Sequence, residues 1–236
     1  MRLLAVDRAG IGASDPDPRA TPTSVAGDLV AVLDHLGIDR AGVLSWSTGA
    51  IFALALAGAH PGRVRRVVLV APLVPADAYD DASVLDGADD ARRLFADAHR
   101  GMDPSEVGEE LAPWLVPPVI DEGTARQLLA GSLAALADVP GAGDQLVAAV
   151  RASVAHGLAG VVRDIAAQAT RLGSLLDAVA APVSVHVGAD DTVTPRAMAA
   201  WLGRRLGVEP VVHAGVGHEL AIRRWRELLG ELAPPD

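Results

Sequence analysis

The chain has 236 residues and half of them are apolar, which is enough for one α/β domain with an insertion and a sizeable core. Its formal charge of -10 argues against a nucleic-acid partner, because such binding needs clustered Lys and Arg side chains. The absence of cysteine excludes disulfides, thiolate metal sites and a cysteine nucleophile, which leaves serine or carboxylate chemistry.

The first residues predict a buried strand that enters a loop. Residues 3–6 are apolar, and Asp7, Gly10, Gly12 and Pro16 follow them. This apolar run is too short for the core of a signal peptide, so we expect a cytoplasmic protein. The two glycines resemble part of a dinucleotide fingerprint, but the third glycine is missing and prolines replace the start of the helix, which favours a tight turn.

Strands and helices then alternate. Apolar residues recur at helical spacing over residues 23–36, and Gly37 is placed to end that helix. Residues 41–59 carry no charge and reach the length of a membrane span. The small polar residues around Ser47 instead predict a strand at 43–44, a turn and a buried helix over 50–59. Residues 64–70 form the next predicted strand.

The alternation stops at residues 74–176, where prolines separate several short helical patterns. We predict that this segment is a helical cap inserted into an α/β core formed by residues 1–73 and 177–236. The second part of the core contains predicted strands at 183–187 and 211–212 and predicted helices at 196–206 and 219–232. Such alternation predicts a mostly parallel sheet with helices on both faces.

The candidate nucleophile is Ser47, which lies where a strand turns sharply into a helix. Such a turn exposes the hydroxyl and directs the next backbone N–H, that of Thr48, at a developing oxyanion. The local pattern is Ser-x-Ser-x-Gly, so Ser45 stands in place of the usual first glycine. Trp46 flanks the turn, where it either lines a substrate pocket or packs in the core.

A serine hydroxyl becomes a good nucleophile when a histidine accepts its proton and a carboxylate orients that histidine. Asp190 and Asp191 both follow the strand at 183–187, at the edge where ligands of open α/β sheets bind. Gly215 and Gly217 would allow a loop after the last strand to bring the imidazole of His218 over the sheet. His218 is therefore the candidate base, and either aspartate could orient it.

Four segments together resemble the α/β-hydrolase-fold superfamily of esterases, lipases and aminopeptidases. They are residues 7–15, which have the form D-x-x-G-x-G-x-S, and residues 45–49, 188–191 and 215–218. The order serine, acid, histidine is also the one found in this fold. In the family the acid lies three residues after the glycine that corresponds to Gly188, so the resemblance implies Asp191 rather than Asp190.

The sequence departs from that family at its beginning. A complete member has further strands before the segment that corresponds to residues 7–15, and one of their loops donates the second oxyanion N–H. We therefore expect an N-terminally truncated α/β-hydrolase fold, with either a misplaced start or impaired activity. Loss of one oxyanion donor typically lowers the rate about a hundred- to thousandfold.

The predicted function is hydrolysis of an ester or amide of a small, mostly apolar acyl compound, with Ser47, His218 and Asp191 as the triad and Thr48 N–H as an oxyanion donor. This chemistry needs no cofactor, and a small-molecule substrate is the expected partner. His186 and His213 are interpreted as packed histidines, so no metal is assigned. The alternative is a non-catalytic or truncated hydrolase-like protein that binds a ligand. Oligomeric state stays open.

Overall fold

The computed structural model describes residues 2–88, 90–98 and 100–233, and its centre is a four-stranded sheet. Each strand pairs in parallel with the next, which confirms the predicted parallel sheet. In spatial order the strands are β1 (Ala41–Trp46), β2 (Val64–Val70), β3 (Val183–Gly188) and β4 (Val211–His213).

Eleven α-helices surround this sheet in the described part of the chain. Two precede β2, six lie between β2 and β3, one joins β3 to β4, and two follow β4. They are α1 (Pro22–His35), α2 (Gly49–Ala59), α3 (Asp90–Ala98), α4 (Pro104–Leu115), α5 (Glu122–Leu128), α6 (Ala130–Ala135), α7 (Ala142–Ser153), α8 (Ala159–Gln168), α9 (Arg196–Leu206), α10 (Leu220–Arg223) and α11 (Trp225–Gly230).

Local signals explain why α1 begins and ends where it does. The Thr21 hydroxyl accepts a hydrogen bond from Ser24 N, and the Ser24 hydroxyl accepts one from Thr21 N, which forms a capping box. Pro22 occupies the first turn, where its missing N–H is not needed. Gly37, with a φ of 65°, follows the end of the helix. The predicted helix over residues 23–36 is thus confirmed.

The two faces of β2 are covered by different helices. Val67 and Leu69 pack in the core cluster that contains residues of α2 and α9, whereas Val68 and Val70 pack against Leu220 and the other apolar residues of α10 and α11. These four side chains are fully buried. Helices therefore cover both faces of the sheet, as the sequence predicts, and each buried side chain contributes about 1.5–3 kcal/mol.

The uncharged stretch of residues 41–59 forms β1, a turn and α2. Helix α2 is buried along nearly its whole length, from Ala50 to Gly58, which explains why it needs no polar face. No helix in the described ranges is long and apolar enough to cross a membrane. The interpretation of this stretch as a strand and a buried helix is confirmed.

Two predicted elements are wrong. Residues 3–6 form no strand, and Leu3 and Leu4 are 56% and 42% exposed. In the described chain β1 pairs with β2 alone, so these residues lack the neighbouring strand that a ladder requires. The predicted helix over 219–232 is two short helices, because the backbone at Arg224 (φ -112°, ψ 20°) leaves the helical conformation between α10 and α11.

The loop at residues 7–15 is a tight turn that packs against helices from the segment between β2 and β3. Gly12 N donates to the Ala152 carbonyl at 3.0 Å. A Cβ at Gly10 would lie 2.8 Å from Gly160 N, so this close approach requires glycine. Arg8 pairs with Asp164 of α8. These contacts join the loop to the helical segment, and the division into core and cap stays a proposal.

A buried polar cluster links β3 and β4 to the residues that follow α11. His186 Nδ1 lies 3.1 Å from His213 Nε2, and Ser184 Oγ donates to Glu231 Oε2 at 2.6 Å. His186 Nε2 lies 2.9 Å from Glu231 Oε1. Burial therefore lowers the pKa of His186 below 6.5, although the Glu231 charge opposes this effect.

We predict that the free energy of unfolding falls as the pH falls below about 6.5, in part because of His186. The unfolded chain binds a proton at this histidine in a range where the folded protein keeps it neutral, so acid favours unfolding. Urea unfolding of the wild type and of His186→Gln at several pH values measures the effect. The variant should depend less on pH.

The matched control is His35→Gln, which changes an exposed histidine and should keep the wild-type pH dependence. If His186→Gln and the wild type lose stability equally on acidification, the buried cluster does not contribute.

Candidate active site

Three loops meet at the carboxyl edge of the sheet. Ser47 follows β1 directly, Asp191 lies in the loop after β3, and His218 lies in the loop after β4. The carboxyl ends of parallel strands lie at the same edge of a sheet, which is where open α/β sheets bind ligands. The structure thus brings the three residues singled out in the sequence to one place.

Ser47 occupies a strained turn between β1 and α2. Its φ is 56°, a left-handed value that is uncommon for a residue with a side chain and that costs about 1–3 kcal/mol. Hydrogen bonds hold the turn, because Ser47 N donates to Val70 O and Ser47 O accepts from Leu73 N, both at 3.1 Å. This is the geometry of a nucleophile elbow, in which the serine hydroxyl stands above the sheet.

The backbone N–H of Thr48 is available at the start of α2. Within the described residues this N–H has no hydrogen-bond partner in the protein. The amino end of an α-helix also carries a partial positive charge from the aligned peptide dipoles. Both features would stabilise a negatively charged oxygen next to Ser47.

Ser45 fits where a glycine is usual. A Cβ on Gly49 would come within 3.4 Å of the Ser45 Cβ, so the two positions are close but do not clash. The Ser45 side chain is buried, and its hydroxyl has no partner among the described residues. A buried hydroxyl left unpaired in this way costs about 1–3 kcal/mol.

A close passage of two backbones brings His218 to Ser47. The loop after β4 crosses the end of β3, where a Cβ on Gly188 would lie 2.3 Å from Val216 O. Ala189 N donates to His213 O at 2.8 Å and Asp190 N donates to Val216 O at 3.1 Å. Only glycine at position 188 permits this contact.

Ser47, His218 and Asp191 form a continuous hydrogen-bonded row. His218 Nε2 lies 3.1 Å from Ser47 Oγ, and His218 Nδ1 lies 3.0 Å from Asp191 Oδ2. A proton on Nδ1 would be donated to the carboxylate, which leaves Nε2 to accept from the serine hydroxyl. The Asp190 side chain is exposed, and it is Asp191 that contacts the imidazole.

The Asp191 carboxylate is completely buried and hydrogen-bonded on both oxygens. Its Oδ1 accepts from Val193 N and Thr194 N, and its Oδ2 accepts from Thr194 Oγ1 at 2.6 Å as well as from His218. Burial raises the pKa of Asp191, but the hydrogen bonds from His218 and Thr194 outweigh burial and hold the pKa below its usual range. Asp191 is therefore ionised at neutral pH.

Trp46 holds the backbone of the His218 loop. Its Nε1–H donates to the His218 carbonyl oxygen at 2.8 Å, and the Trp46 and His218 rings lie 5.5 Å apart. The rest of the indole packs against the apolar cluster under α10 and α11. This contact could not be read from the sequence, and the predicted role of Trp46 in a substrate pocket stays a prediction.

Other candidate sites lie apart from this row. A cavity of about 430 Å³ lies between residues 176–183 and the end of α9, at the amino end of β3 and thus at the opposite edge of the sheet. Across the described residues, no group of three or more His, Asp or Glu is arranged to hold a metal ion. Chemistry is therefore best sought at the carboxyl edge.

Comparison with known proteins agrees with this architecture. Residues 1–112 match the family model of the alpha/beta hydrolase fold. Over 71 residues the chain is 39% identical to the 2-hydroxymuconate semialdehyde hydrolase of Pseudomonas putida, a match that covers 29% of this chain and 25% of that protein. The matched region thus spans about a quarter of the length of this relative.

Two solved structures show the same fold. A meta-cleavage product hydrolase is 19% identical, with a TM-score of 0.64, and the alignment covers 95% of this chain and 76% of that one. The enol-lactonase of Burkholderia xenovorans LB400 is 21% identical, with a TM-score of 0.59 and coverages of 94% and 75%. At these identities the likeness establishes the fold alone.

We predict that Ser45→Ala raises the free energy of unfolding by about 1 kcal/mol, because it removes a buried hydroxyl that has no partner and keeps the Cβ that fits beside Gly49. Urea unfolding at neutral pH measures the change. Ser24→Ala is a control of opposite sign, since it removes the hydroxyl that accepts from Thr21 N in the capping box of α1 and should lower stability by about 1 kcal/mol. A clear loss of stability in Ser45→Ala would mean that the hydroxyl is satisfied in solution.

Proposed function

Because this chain belongs to the α/β-hydrolase-fold superfamily, we propose that it is a serine hydrolase with Ser47 as nucleophile, His218 as general base and Asp191 as the residue that orients His218. The hydrogen-bonded row from Ser47 Oγ through His218 to Asp191 Oδ2 carries the proposal. The positive φ of Ser47 supports it, because that strain serves to present the hydroxyl above the sheet.

The mechanism follows from these contacts. Ser47 Oγ attacks the substrate carbonyl carbon while its proton passes to His218 Nε2, and the resulting oxyanion accepts a hydrogen bond from Thr48 N–H. The ionised Asp191 stabilises the imidazolium. When the tetrahedral intermediate collapses, the bond to the leaving group breaks and Nε2 returns the proton to that group. Water, deprotonated by His218, then attacks the acyl-enzyme and releases the acid.

We propose an ester or amide of a small, mostly apolar acyl compound as the substrate, with lactones included. The name of the structural neighbour from Burkholderia xenovorans describes action on an enol-lactone, which is a cyclic ester. A second candidate substrate is 2-hydroxymuconate semialdehyde, because the relative with 39% identity over 71 residues is named for its hydrolysis.

The competing proposal is a protein of this fold that binds a small ligand without turnover. Thr48 N–H is the oxyanion donor that we assign in the described residues, and a serine hydrolase that works with one such donor instead of two is typically slowed about a hundred- to thousandfold. This observation favours either a slow enzyme or a ligand-binding protein, and direct chemical labelling of the serine separates the two.

We predict that a fluorophosphonate probe forms one covalent adduct with the wild-type protein and none with Ser47→Ala, as measured by intact mass. The probe reports an activated serine without any assumption about the substrate, because only a serine with a working base reacts readily. Ser45→Ala is the matched control, because it removes a serine two positions away and should still be labelled. A folded wild-type protein without an adduct would support the ligand-binding alternative.

We also predict that Asp191→Asn lowers kcat for p-nitrophenyl acetate about 10³- to 10⁴-fold, because the amide favours the wrong tautomer of His218. Asp190→Asn is the matched control, since its side chain is exposed and only its backbone N–H contacts the His218 loop. That variant should keep near wild-type turnover. Loss of turnover in Asp190→Asn alone would show that the acid is misassigned.

A further inference from the structure

We propose that Thr194 is a positioning residue of the Asp191–His218 pair, and that its hydroxyl sets how strongly Asp191 Oδ2 binds the imidazole. This inference rests on the proposed function, since it concerns the proton that His218 accepts and returns. Thr194 does not touch the reacting atoms and acts through Asp191.

The geometry places the hydroxyl on the one carboxylate oxygen that faces His218. Thr194 is fully buried at the end of the loop between β3 and α9. Its Oγ1 lies 2.6 Å from Asp191 Oδ2 and 3.4 Å from His218 Nδ1. Because His218 Nδ1 is itself 3.0 Å from Oδ2, the three atoms form a small triangle.

The short distance assigns the direction of the hydrogen bond. An ionised carboxylate only accepts, so Thr194 Oγ1–H donates to Asp191 Oδ2. The 3.4 Å separation from Nδ1 is long for a second hydrogen bond. Two donors, the threonine hydroxyl and the imidazole N–H, therefore share one oxygen.

The Thr194 hydroxyl binds Asp191 Oδ2, whereas the backbone N–H groups of the same loop bind Oδ1. Val193 N and Thr194 N already fix Asp191 Oδ1. Without the hydroxyl, Oδ2 would be held by His218 alone and could rotate whenever the imidazole moves. Thr194 thus keeps Oδ2 in place through the whole reaction cycle.

Because Thr194 and His218 both donate to Asp191 Oδ2, Thr194 also affects proton transfer by His218. Each donor stabilises the ionised form of the carboxylate, so Asp191 is a weak base and leaves the proton on the imidazolium. The imidazolium therefore keeps its Nδ1 proton, and the proton that it gives to the leaving group is the one on Nε2. Because Oδ2 also accepts from Thr194, it attracts the imidazole N–H less strongly than an oxygen that accepts from His218 alone.

No other charged group replaces Asp191 in this role within the described chain. Glu219, the next residue after His218, accepts from Gly217 N at 3.1 Å and lies 3.9 Å from Arg223 Nε. In the described residues the His218 ring also lies next to Ser47, Trp46 and Thr194, whose side chains are neutral. A change in the charge available on Oδ2 should therefore act directly on His218.

The test compares Thr194→Val, which keeps the shape and removes the hydroxyl, with Thr194→Ser, which keeps the hydroxyl and removes the methyl group. We measure the rate of fluorophosphonate labelling across neutral pH, and kcat and KM for p-nitrophenyl acetate. In Thr194→Val we expect kcat and the maximum labelling rate to fall about tenfold, since one hydrogen bond to a charged group is lost, with KM unchanged. Thr194→Ser should behave like the wild type.

A second readout does not need activity. Proton NMR of the His218 Nδ1–H on a Ser47→Ala background reports its hydrogen bond to Asp191 Oδ2, and Thr194→Val should move this resonance downfield, because Oδ2 then accepts from His218 alone. Absence of labelling in the wild type would contradict the proposed function without affecting this NMR measurement. If Thr194→Val leaves the Nδ1–H resonance unchanged, or if Thr194→Ser loses as much activity as Thr194→Val, the hydroxyl has no positioning role and Thr194 serves packing alone.

Discussion

The geometry of the site depends on one contact, in which the loop after β4 passes close over Gly188 at the end of β3. Ser47 follows β1 and His218 follows β4, at opposite sides of the four-stranded sheet. Because neighbouring strands lie about 4.8 Å apart, the ends of β1 and β4 are separated by about 14 Å. The loop spans this distance by crossing the end of β3 at Gly188, where a Cβ would lie 2.3 Å from Val216 O. At its far end, the His218 carbonyl oxygen accepts a hydrogen bond from Trp46 Nε1. The triad geometry is thus a consequence of backbone packing.

Burial has opposite outcomes at the two buried acid–histidine pairs. Asp191 is fully buried, yet donors on both of its oxygens keep it ionised, and its partner His218 remains 23% exposed to solvent. His186 Nε2 lies 2.9 Å from Glu231 Oε1, yet burial outweighs the attraction of that charge and lowers the pKa of the imidazole. The four hydrogen bonds that the Asp191 carboxylate accepts distinguish it from the His186 imidazole, whose charged form burial disfavours.

The parts of the fold that the sequence predicted are those with local causes. Helix α1 follows from its apolar periodicity and Gly37, and β2 from the continuous apolar run at 67–70 that ends the strand. Residues 3–6 were predicted wrongly because a strand also needs a neighbour, which no local pattern reveals. In the site, the sequence pattern indicated Ser47, His218 and two aspartates, and the resemblance to the α/β-hydrolase fold favoured Asp191. The contact of Trp46 with His218 joins segments that are far apart in the chain, and the contact of Thr194 with Asp191 depends on how the loop after β3 folds, so neither was predicted.

Three unfavourable features of the structure lie at the turn from β1 to α2. Ser47 adopts a left-handed φ, the Ser45 hydroxyl is buried without a partner, and the Thr48 N–H is unpaired in the described chain. Glycine at position 47 would relieve the backbone strain but would remove the hydroxyl. The buried helix α2 that follows the turn and the buried end of β2 beside it provide packing that offsets this local cost. Such a conflict between local preference and fold is expected where a side chain is placed for chemistry rather than for stability.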